Sequence, residues 1–577
     1  MEKLKLLLIV LFIGISSNAF GQTTPVSGVV VDDQGIALPG ANVMEKGTTN
    51  GVVTDFDGNF TISVEDESGT LIISYIGFQS QEIALNGSSN YTVQLQQDAS
   101  QLDEVVVIGY GSVKRSDLTG AVESLGTQEI TQQKKTDLGQ ALQGRVAGVD
   151  VRTTNNKPGA PLSFDIRGNT VIQNTDETRD GLDFDGDLSK PLFVVDGVFF
   201  DDINILNPAD IQQVDILKDA SATAIYGSRG ANGVVIISTK NGIEGKARFT
   251  YEATLGVNSV ANKPDMFTGD EYVAFVEDVL RSREWQGLFD YDTPYYPTVE
   301  DYNNAVIDFS GEFRSSNEEA DNVANRRYTN WQNDYLKSGI QTSHTVGMSG
   351  GNDGLTYSGS IGYLSNEGVI GIEKFERYNL STAITKKVSD KFTVGLKAYL
   401  SLSERETGSN ELFRSTLRLA PTVNPRDPDG NLILFPDDQD GRFTNPYYEA
   451  YEDAWLNNTR SLDVIANVFL NYKPTEWLSF KTQFAPNLRT TRHGQQFGLL
   501  TKSARNDETR TRAYYDSYFD TSYTWDNIVD MNFDVAEGHN LKTTLISSIY
   551  YRQDEFSNIE TRNFDTDIYQ YYNLAIP

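Results

Sequence analysis

The sequence predicts a mainly β protein in three parts: an N-terminal β-sandwich, an α+β domain, and the first part of a transmembrane antiparallel β-barrel. Three observations support this fold class. Short alternating runs separated by Asp-Gly and Asn-Gly pairs extend from Val26 to Leu95. Helix and strand patterns alternate from Lys134 to Gly242. Longer runs of alternating apolar and polar residues follow from Arg248.

Composition excludes several classes of function. A chain of 577 residues is too long for one core, so we expect several domains. The 48 Lys and Arg against 80 Asp and Glu give a net charge of -32, which argues against a nucleic-acid partner. Cysteine is absent and the three histidines (His344, His493, His539) are scattered, so we expect no metal, no cofactor and no zinc enzyme.

Residues 1–21 have the pattern of a secretory signal peptide. Lys3 and Lys5 precede an apolar stretch from Leu6 to Ile15, and Ala19-Phe20-Gly21 is a small-residue cleavage site. The alternative is a membrane anchor, but the apolar stretch is shorter than the roughly 20 residues that a spanning helix needs. We therefore expect cleavage after Gly21.

Residues 22–96 are predicted to form a small antiparallel sandwich, because short strands alternate with turn residues. The segment resembles the carboxypeptidase regulatory-like domain at Val29, Pro39-Gly40-Ala41, Asp55-x-Asp57-Gly58, Phe60 and Tyr75-x-Gly77-Phe78. A calcium loop at Asp55 and Asp57 is the alternative to a hairpin turn. The spacing lacks the terminal Glu of an EF-hand, which favours the turn.

Residues 97–112 are predicted to be a linker that carries a short β-prone run. Such a run can add as a strand to the open sheet edge of a partner, or it can be a strand of the neighbouring domain. The run and its flanks are Asp103, Glu104, Val105, Val106, Val107, Ile108 and Gly109.

Residues 113–243 are predicted to form a compact α+β unit. Its motifs resemble the plug of a SusC-like (SusC/RagA) TonB-dependent receptor, and the residues that carry the resemblance stand in order. They include Arg145, Gly148, Arg167, Gly168, Asp196, Gly197, Lys218, Asp219, Tyr226, Gly227, Arg229, Gly230, Asn232 and Gly233. The last glycines lead from a helix into a strand, which is the reverse of a phosphate-binding loop.

Two features of this unit leave alternatives open. Asp183, Asp185 and Asp187 lie in an acidic insertion that either binds a cation or is an exposed loop, and the loop is favoured. The charged residues of the motifs either make polar contacts with the wall of a lumen or solubilise the surface of the unit. The charged residues in question are Arg145, Arg167, Lys218, Arg229, Asp165, Asp196 and Asp219.

Residues 244–577 are predicted to form part of a membrane barrel. The first strand places Phe249, Tyr251, Ala253, Leu255 and Val257 on one face and polar residues on the other, the alternation of a wall between lipid and water. A soluble β-sandwich or propeller is the alternative. About nine such strands are expected, with the uncertain edges usual for predicted strand ends.

The lengths of the connections also favour a barrel. Tight turns are expected at GGND, VSDK, KPTE and AEGHN, and long loops at Ala261 to Gln341, Glu404 to Arg460 and Pro486 to Tyr518. If strand one runs outward, each tight turn is periplasmic and each long loop is external. Receptors of the resembled type close with 22 strands around a plug, so we expect this sequence to be a fragment.

The resemblance implies import of an oligosaccharide or a peptide across the outer membrane, with no enzymatic reaction. It also implies TonB with ExbB and ExbD as the partner of residues 103–109, a SusD-like surface lipoprotein, and outer-membrane lipid. The alternatives are a SusC-related signal transducer, a siderophore or cobalamin receptor, and a metallocarboxypeptidase. The last lacks any His-x-x-Glu or His-Glu-x-x-His pair. Loop aromatics that could stack on sugars are Tyr295, Tyr296, Trp331 and Trp455, although packing or anchoring roles are equally expected.

Overall fold

A computed structural model describes most of the chain, and the chain divides into two compact units that we treat separately. The described residues are 24–32, 35–46, 48, 50–64, 69–75, 78, 80–86, 90–95, 105–108, 111–114, 122–132, 135, 137–153, 155–168, 190–200, 202–287, 300, 317–436, 444–450, 454–505, 511–536, 539–563, 570–572 and 574. The signal peptide, Tyr295, Tyr296 and the acidic insertion at Asp183 to Asp187 lie outside them.

The first unit is a sandwich of two small sheets, as the sequence predicts, but the expectation of a purely antiparallel sandwich is wrong for one strand pair. One sheet has the order β4-β1-β7, in which β1 is antiparallel to β4 and parallel to β7, and the other has the order β3-β2-β5-β6. The strands are β1 (Thr24–Val31), β2 (Asn42–Glu45), β3 (Gly51–Val53), β4 (Asn59–Val64), β5 (Thr70–Ser74), β6 (Gln81–Ala84) and β7 (Asn90–Gln94).

The core of this sandwich follows from the alternation of its strands. Val26 and Val30 on β1 pack with Phe60 and Ile62 on β4, all of them buried. The Asp55 carboxylate accepts backbone N–H groups of Asp57 and Asn59, at 3.0 and 2.8 Å, which closes the turn before β4. These bonds hold the pKa of Asp55 below its usual value. The Asp55 carboxylate therefore stabilises the turn that the sequence favours over a calcium loop.

The β-prone run after this sandwich forms a strand, β8 (Val105–Ile108), which pairs with β9 (Gly111–Lys114) in a two-stranded sheet. Asp103, Glu104 and Gly109 lie outside the described residues. The backbone of the run is thus extended and hydrogen-bonded within the chain.

The α+β unit is built on a five-stranded sheet of order β10-β15-β16-β13-β14, with a separate hairpin of β11 and β12. Strands β13 and β16 are parallel, whereas the other pairs are antiparallel. We call this unit the plug. Its elements are β10 (Val122–Gly126), α1 (Thr127–Gln132), α2 (Leu138–Leu142), β11 (Val149–Thr153), β12 (Leu162–Ile166), β13 (Leu192–Val195), β14 (Val198–Phe200), β15 (Ile211–Leu217), α3 (Ala220–Thr223) and β16 (Val234–Thr239).

Local chemistry explains where the plug helices begin. The Asp137 side chain accepts the backbone N–H groups of Gly139 and Gln140 at the start of α2, and Asp219 accepts that of Ala222 at the start of α3. Asn207 caps the short 3-10 helix Pro208–Asp210 in the same way, with Pro at its first position. Fully buried Ile211, Ile216 and Leu217 then anchor β15 in the core.

The remaining strands form one antiparallel sheet of nine strands in sequence order, which confirms the predicted number. We call this sheet the wall. Its strands are β17 (Gly245–Asn258), β18 (Gly339–Asn352), β19 (Leu355–Glu367), β20 (Lys374–Lys387), β21 (Phe392–Glu406), β22 (Trp455–Thr475), β23 (Leu478–Phe497), β24 (Arg512–Ala536) and β25 (His539–Arg562).

Several strands are longer than the sequence predicts. The expected loop from Pro486 to Tyr518 is wrong in extent, because β23 continues through Pro486 to Phe497 and β24 begins at Arg512. Pro486 has no N–H to donate, and the register of β23 with β22 skips it, but β24 pairs with it opposite Tyr523. Pairing with β24 therefore continues at the position where the hydrogen-bond ladder between β23 and β22 is interrupted.

Connections alternate between the two ends of the wall. Those at the end nearest the plug are tight, at 353–354, 388–391, 476–477 and 537–538, as predicted. At the other, distal end the connections 259–338, 407–454 and 498–511 are longer. The rule that every distal connection is long is wrong at 368–373, because β19 extends to Glu367 and β20 begins at Lys374.

The two sides of the wall differ as the alternation predicts. Phe249, Tyr251, Leu255 and Val257 are 67–75% exposed and define the outer side, which Val346 and Ile361 continue on β18 and β19. The opposite side carries buried polar residues such as Thr345 and Ser360 and faces the plug. An apolar outer side and a polar inner side are typical of a barrel wall in lipid.

Two distal connections pack together. The first contains α4 (Gly269–Gly287), α5 (Asn317–Ala324) and α6 (Trp331–Tyr335), and the second contains α7 (Asn410–Thr416) and the 3-10 helix Pro446–Glu449. They share a small core, which we call the loop core, of Trp331, Tyr335, Leu412, Leu419 and Val423. A further helix, α8 (Lys502–Arg505), lies in the third long connection.

Candidate functional site: the interface between plug and wall

A tight turn of the plug points at the wall. Asp196 and Gly197 connect β13 to β14 with φ values of 49° and 84°. A two-residue hairpin turn with positive φ at both positions favours an Asp-Gly pair, which is why this dipeptide stands here. The Asp196 carboxylate also accepts the hydroxyl of Thr239 at 2.5 Å, which fixes the turn to β16.

Two wall strands hold this turn. The Nζ of Lys397 on β21 lies 2.7 Å from the Asp196 carboxylate, and the two side chains are only 18% and 13% exposed. The side-chain amide of Asn467 on β22 donates to the backbone oxygen of Asp196 at 2.9 Å. An ion pair in so dry a place is strong only while both partners are present, because either charge alone is poorly solvated.

A second plug segment, 203–210, is held by four wall strands. The Tyr399 hydroxyl donates to the Ile205 oxygen at 2.7 Å and accepts the Asn207 N–H at 2.9 Å. The Asn379 amide donates to the same Ile205 oxygen at 2.9 Å. The Asn207 amide donates to the hydroxyl of Thr345 at 3.0 Å. This loop has little secondary structure of its own, so the wall satisfies its backbone.

Charged groups extend the contact with this segment. The Ser360 hydroxyl donates to the Asp210 carboxylate at 2.5 Å, and Arg377 donates to the Asn204 oxygen. Burial raises the pKa of Asp210, while its bond to Ser360 opposes that rise. Polar contacts therefore fix the segment together with apolar packing, since Ile203, Ile205 and Leu206 belong to a buried core that also includes Tyr399, Ile465 and Ala485 of the wall.

A third contact lies near the distal end. The Lys157 ammonium donates to the Gly408 oxygen at 2.5 Å and lies 3.1 Å from the Glu373 carboxylate. Arg405 donates to the Gly159 oxygen at 3.1 Å. A Cβ at Gly159 would come within 2.3 Å of the Phe375 ring, so only glycine permits this approach.

A cavity of about 580 Å³ separates the plug sheet from wall strands β17 to β22. Its lining mixes both signs of charge with hydroxyl groups, and includes Asp196, Lys240, Glu252, Ser360, Lys397 and Tyr399. Residues of the first two contacts, but not of the distal contact at Lys157, line this cavity.

The carboxyl group of Asp137 in the plug has a raised pKa. Burial raises the pKa of Asp137 from 3.8 to about 6, against the favourable charge of Arg377, and Asp202 adds to the rise. Its oxygens also accept the α2 backbone N–H groups, which oppose the rise. Asp137 thus lies where the plug meets a wall arginine.

The residues predicted from the plug motifs divide between plug and wall. Arg145 donates to the backbone oxygen of Glu129 within α1, and Lys218 donates to the backbone oxygen of Ala147, both inside the plug. Arg229 stacks 4.1 Å from the Phe199 ring of the plug and 5.4 Å from the Tyr550 ring of β25. The structure thus places Arg145 and Lys218 in contacts within the plug, and Arg229 between the plug and the wall.

The other motif residues shape the plug itself. Asp219 caps α3 and Asn232 donates to the Lys190 oxygen at 3.4 Å. Tyr226 is buried in the core, and Arg167 has a φ of 59° beside Gly168. The glycines at 148, 168, 197, 227 and 233 have positive φ, whereas Gly230 packs against Thr223.

The sequence did not indicate segment 203–210 or its wall partners as functional residues. The pattern Asn-Pro-Ala-Asp predicts a helix start, but nothing local shows that Tyr399 binds it. Trp331 and Trp455 are buried and donate to the backbone oxygens of Ala420 and Thr407, so they pack rather than offer a stacking surface.

Within the described part of the chain, no cluster of three or more His, Asp or Glu residues could hold a metal ion. In that same part, no helix has both the length and the apolar character to cross a membrane.

Comparison with family models matches residues 26–107 to the CarboxypepD_reg-like domain and residues 114–234 to the TonB-dependent Receptor Plug Domain. The chain is 32% identical to TonB-dependent receptor P3 of Formosa agariphila over 86% of this chain and 45% of the relative. It is 32% identical to TonB-dependent receptor SusC of Bacteroides thetaiotaomicron over 72% of this chain and 38% of the relative. The chain thus spans half or less of the length of these curated relatives.

A solved structure of the RagAB peptide importer in an "open-open" state matches with a TM-score of 0.63 and 25% identity. The match covers 81% of this chain and 51% of the solved chain. A "closed-closed" state of the same importer matches with a TM-score of 0.60 and 24% identity, over 78% of this chain and 50% of that chain. Each match therefore covers about four fifths of this chain.

Proposed function

Since this chain combines the regulatory-like domain, the plug and the strand sheet of the SusC-like TonB-dependent receptors, we propose that it imports a nutrient across the bacterial outer membrane. Its relatives are receptors rather than enzymes. In this proposal the wall is the lipid-facing barrel, the plug closes its lumen, and the N-terminal sandwich lies in the periplasm. No covalent bond is made or broken.

The observation that supports import most directly is how the plug is held. Its polar contacts with the wall lie at Asp196, segment 203–210 and Lys157, beside an apolar contact of the plug core with Tyr399, Ile465 and Ala485. Polar contacts can exchange with water when the plug moves, whereas an apolar interface would have to expose its core. A pull on the plug can therefore release it without unfolding the wall.

The pull acts on the extended run before the plug. In this proposal TonB, energised with ExbB and ExbD, pairs with residues 103–109 by edge addition. Strand β8 is paired with β9 in the present structure. Engagement by TonB therefore exchanges one strand partner for another, which costs few net backbone hydrogen bonds.

The cargo proposed is an oligosaccharide or a peptide, delivered by a SusD-like surface lipoprotein in a SusCD-type complex. Two solved relatives are described as states of a peptide importer. The distal connections joined by the loop core supply an ordered surface on which such a lipoprotein can rest.

A matched pair of changes in β8 tests the proposal in the native host. Val106→Pro removes a backbone N–H that an added strand needs, whereas Val106→Ile keeps it. We expect the proline variant to lose growth on the cargo as sole carbon or nitrogen source at unchanged outer-membrane abundance. The isoleucine variant should grow as the wild type does.

Three results would contradict import. If uptake continued both in the Val106→Pro variant and after deletion of TonB, TonB would not be the energy source of transport. Loss of a transcriptional response with uptake unchanged would favour the signal transducer. A growth defect confined to iron or cobalamin limitation would favour a siderophore or cobalamin receptor.

A further inference from the structure

Two arginines face each other on the outer side of the wall. Arg460 on β22 and Arg492 on β23 are directly opposite in the strand register. They lie on the same side as exposed Val468 and Phe484, since alternate residues of a strand share a side. This is the apolar side of the sheet, where a cation is out of place unless it has an anion to meet.

Only one of the two charges is balanced. Arg460 lies 2.7 Å from the Glu404 carboxylate on β21. In the part of the chain that the structure describes, Arg492 is exposed and has no ion-pair partner; its neighbour on β24 is Ser517. Like charges directly opposite on adjacent strands destabilise a sheet. The two arginines therefore form a local excess of positive charge, although the net charge of the chain is -32.

The position of the pair along the wall is informative. Toward the plug end the outer side is apolar from Leu402 and Leu462 down to a stacked row of Phe392, Tyr472 and Phe480. From Phe392 to Glu404 a strand rises roughly 40 Å along its own axis. A tilt of about 45° reduces this to roughly 28 Å, close to the apolar band of about 25 Å in membrane barrels. The arginines therefore lie at the distal edge of that band.

A pocket surrounds them. Its volume is about 400 Å³, and it is lined by Glu404, Arg460, Arg492, Tyr515, Tyr571 and Tyr572. Tyr571 stacks on Tyr515 with ring centroids 6.3 Å apart. It also covers Gly494, where a Cβ would come within 2.3 Å of the ring. The bond from Thr561 to the Leu574 oxygen, 2.9 Å, holds this segment against the sheet.

We propose that this pocket binds the phosphorylated headgroup of a membrane lipid. The guanidinium groups of Arg460 and Arg492 bind the phosphate oxygens, since the arginine fork matches phosphate geometry. The tyrosines supply hydroxyl donors and rings at the level where aromatic residues line a membrane surface. The lipid chains then run along Leu462 and Phe519. The inference rests on the proposed function only in taking the outer side as lipid-facing.

The test uses the native protein extracted from membranes into a neutral detergent. Native mass spectrometry counts bound lipid after addition of phosphatidylglycerol or of phosphatidylcholine, with inorganic phosphate alone as a third arm. The variants are Arg492→Gln and, as matched control, Lys386→Gln. Lys386 is an outer-side cation near the plug end that donates to the Asp353 oxygen.

We expect phosphatidylglycerol to bind the wild type and the Lys386 variant equally, and the Arg492 variant about tenfold more weakly, as loss of one charge-assisted hydrogen bond implies. Equal binding by wild type and Arg492→Gln would overturn the site. Binding of inorganic phosphate alone with the same dependence on Arg492 would overturn the assignment to a lipid. Failure of uptake with lipid binding intact would sink import and leave this site standing.

Discussion

The carboxylate of Asp196 lies 2.7 Å from the Nζ of Lys397, across 201 residues of sequence, and joins a plug turn to β21, the fifth wall strand. Both side chains are mostly buried. The position of the plug against the wall therefore depends on both charges of this pair, and displacing the plug must break it.

Removing one charge should loosen the plug. Asp196→Asn keeps a residue that tolerates positive φ but leaves the Lys397 ammonium without its anion. We expect a loss of about 2 to 3 kcal/mol in the free energy of plug docking. Urea titration followed by protease cleavage within the plug measures it.

The control for that variant is Glu82→Gln in the N-terminal sandwich. Glu82 makes a 2.6 Å pair with Lys46, but both side chains are more than half exposed. An exposed pair contributes little because water screens it. If both variants behaved alike, burial would not be what gives the Asp196 pair its strength.

A disulfide should lock segment 203–210. A Cβ placed at Gly362 would lie 3.8 Å from the Asn207 Cγ, within reach of a short crosslink after modest adjustment. The chain contains no cysteine, so Asn207→Cys with Gly362→Cys can pair only with each other. We expect uptake to stop on oxidation and to return with dithiothreitol.

The matched crosslink joins two wall strands and leaves the plug free. Ser461 and Thr491 are directly opposite, with hydroxyl oxygens 2.9 Å apart. Their double cysteine variant should transport normally when oxidised. Transport through a fully oxidised 207–362 crosslink would show that this segment does not move.

Asp137 predicts a pH dependence. Its pKa in the folded protein is about 6 against an ordinary 3.8, so the folded form holds the proton more tightly. Its contribution to stability is full below pH 3.8 and is lost as pH rises through 6, an effect of about 3 kcal/mol. Melting temperatures between pH 4 and 8 measure it.

Asp137→Asn separates charge from capping, because Asn is an equally good helix cap. We expect this variant to be more stable than the wild type at pH 8 and to lose the slope between pH 4 and 6. Asp137→Ala removes the cap as well and should cost about 1 kcal/mol relative to Asn at every pH. An unchanged slope in the Asn variant would assign the dependence to another group.

Alanine substitutions at two plug glycines distinguish the effect of contact with the wall from the effect of backbone strain. Gly144 and Gly159 have φ values of 71° and 66°, but only Gly159 lies against the wall, at Phe375. Alanine at either position is strained by about 1 kcal/mol or more. Gly159→Ala should in addition unseat the plug and make the cell leaky to large antibiotics. Equal permeability of the two variants would exclude Gly159 from the seating contact.

Local patterns explain what the sequence could predict. Alternation identified nine wall strands and the two sides of β17, because strand periodicity is a property of neighbouring residues. Asp196 and Gly197 were identified only as plug-motif residues, although their turn follows from the same kind of local chemistry. The partners of that turn depend on the wall register, which places Lys397 and Asn467 opposite it from far along the chain.

Strand ends were less predictable. Pro486 ended the predicted strand, yet pairing with β24 carries the backbone past it. Segment 203–210 was missed because its side-chain partners Thr345, Ser360 and Tyr399 lie on wall strands far along the chain. Its polarity alone does not separate it from an ordinary surface loop.

The loop core joins the connections after β17 and β21, so the two connections act mechanically as one unit. Trp331 from the first and Leu412 from the second share that core, and Asn322 donates to the Thr422 oxygen at 3.1 Å. A load applied to either connection is thus carried by both. Because Lys157 of the plug is bonded to Gly408 at the root of the second connection, the load has a direct route to the plug. Under the proposed import function, arrival of cargo at the rim is transmitted in this way as tension before the cargo touches the plug.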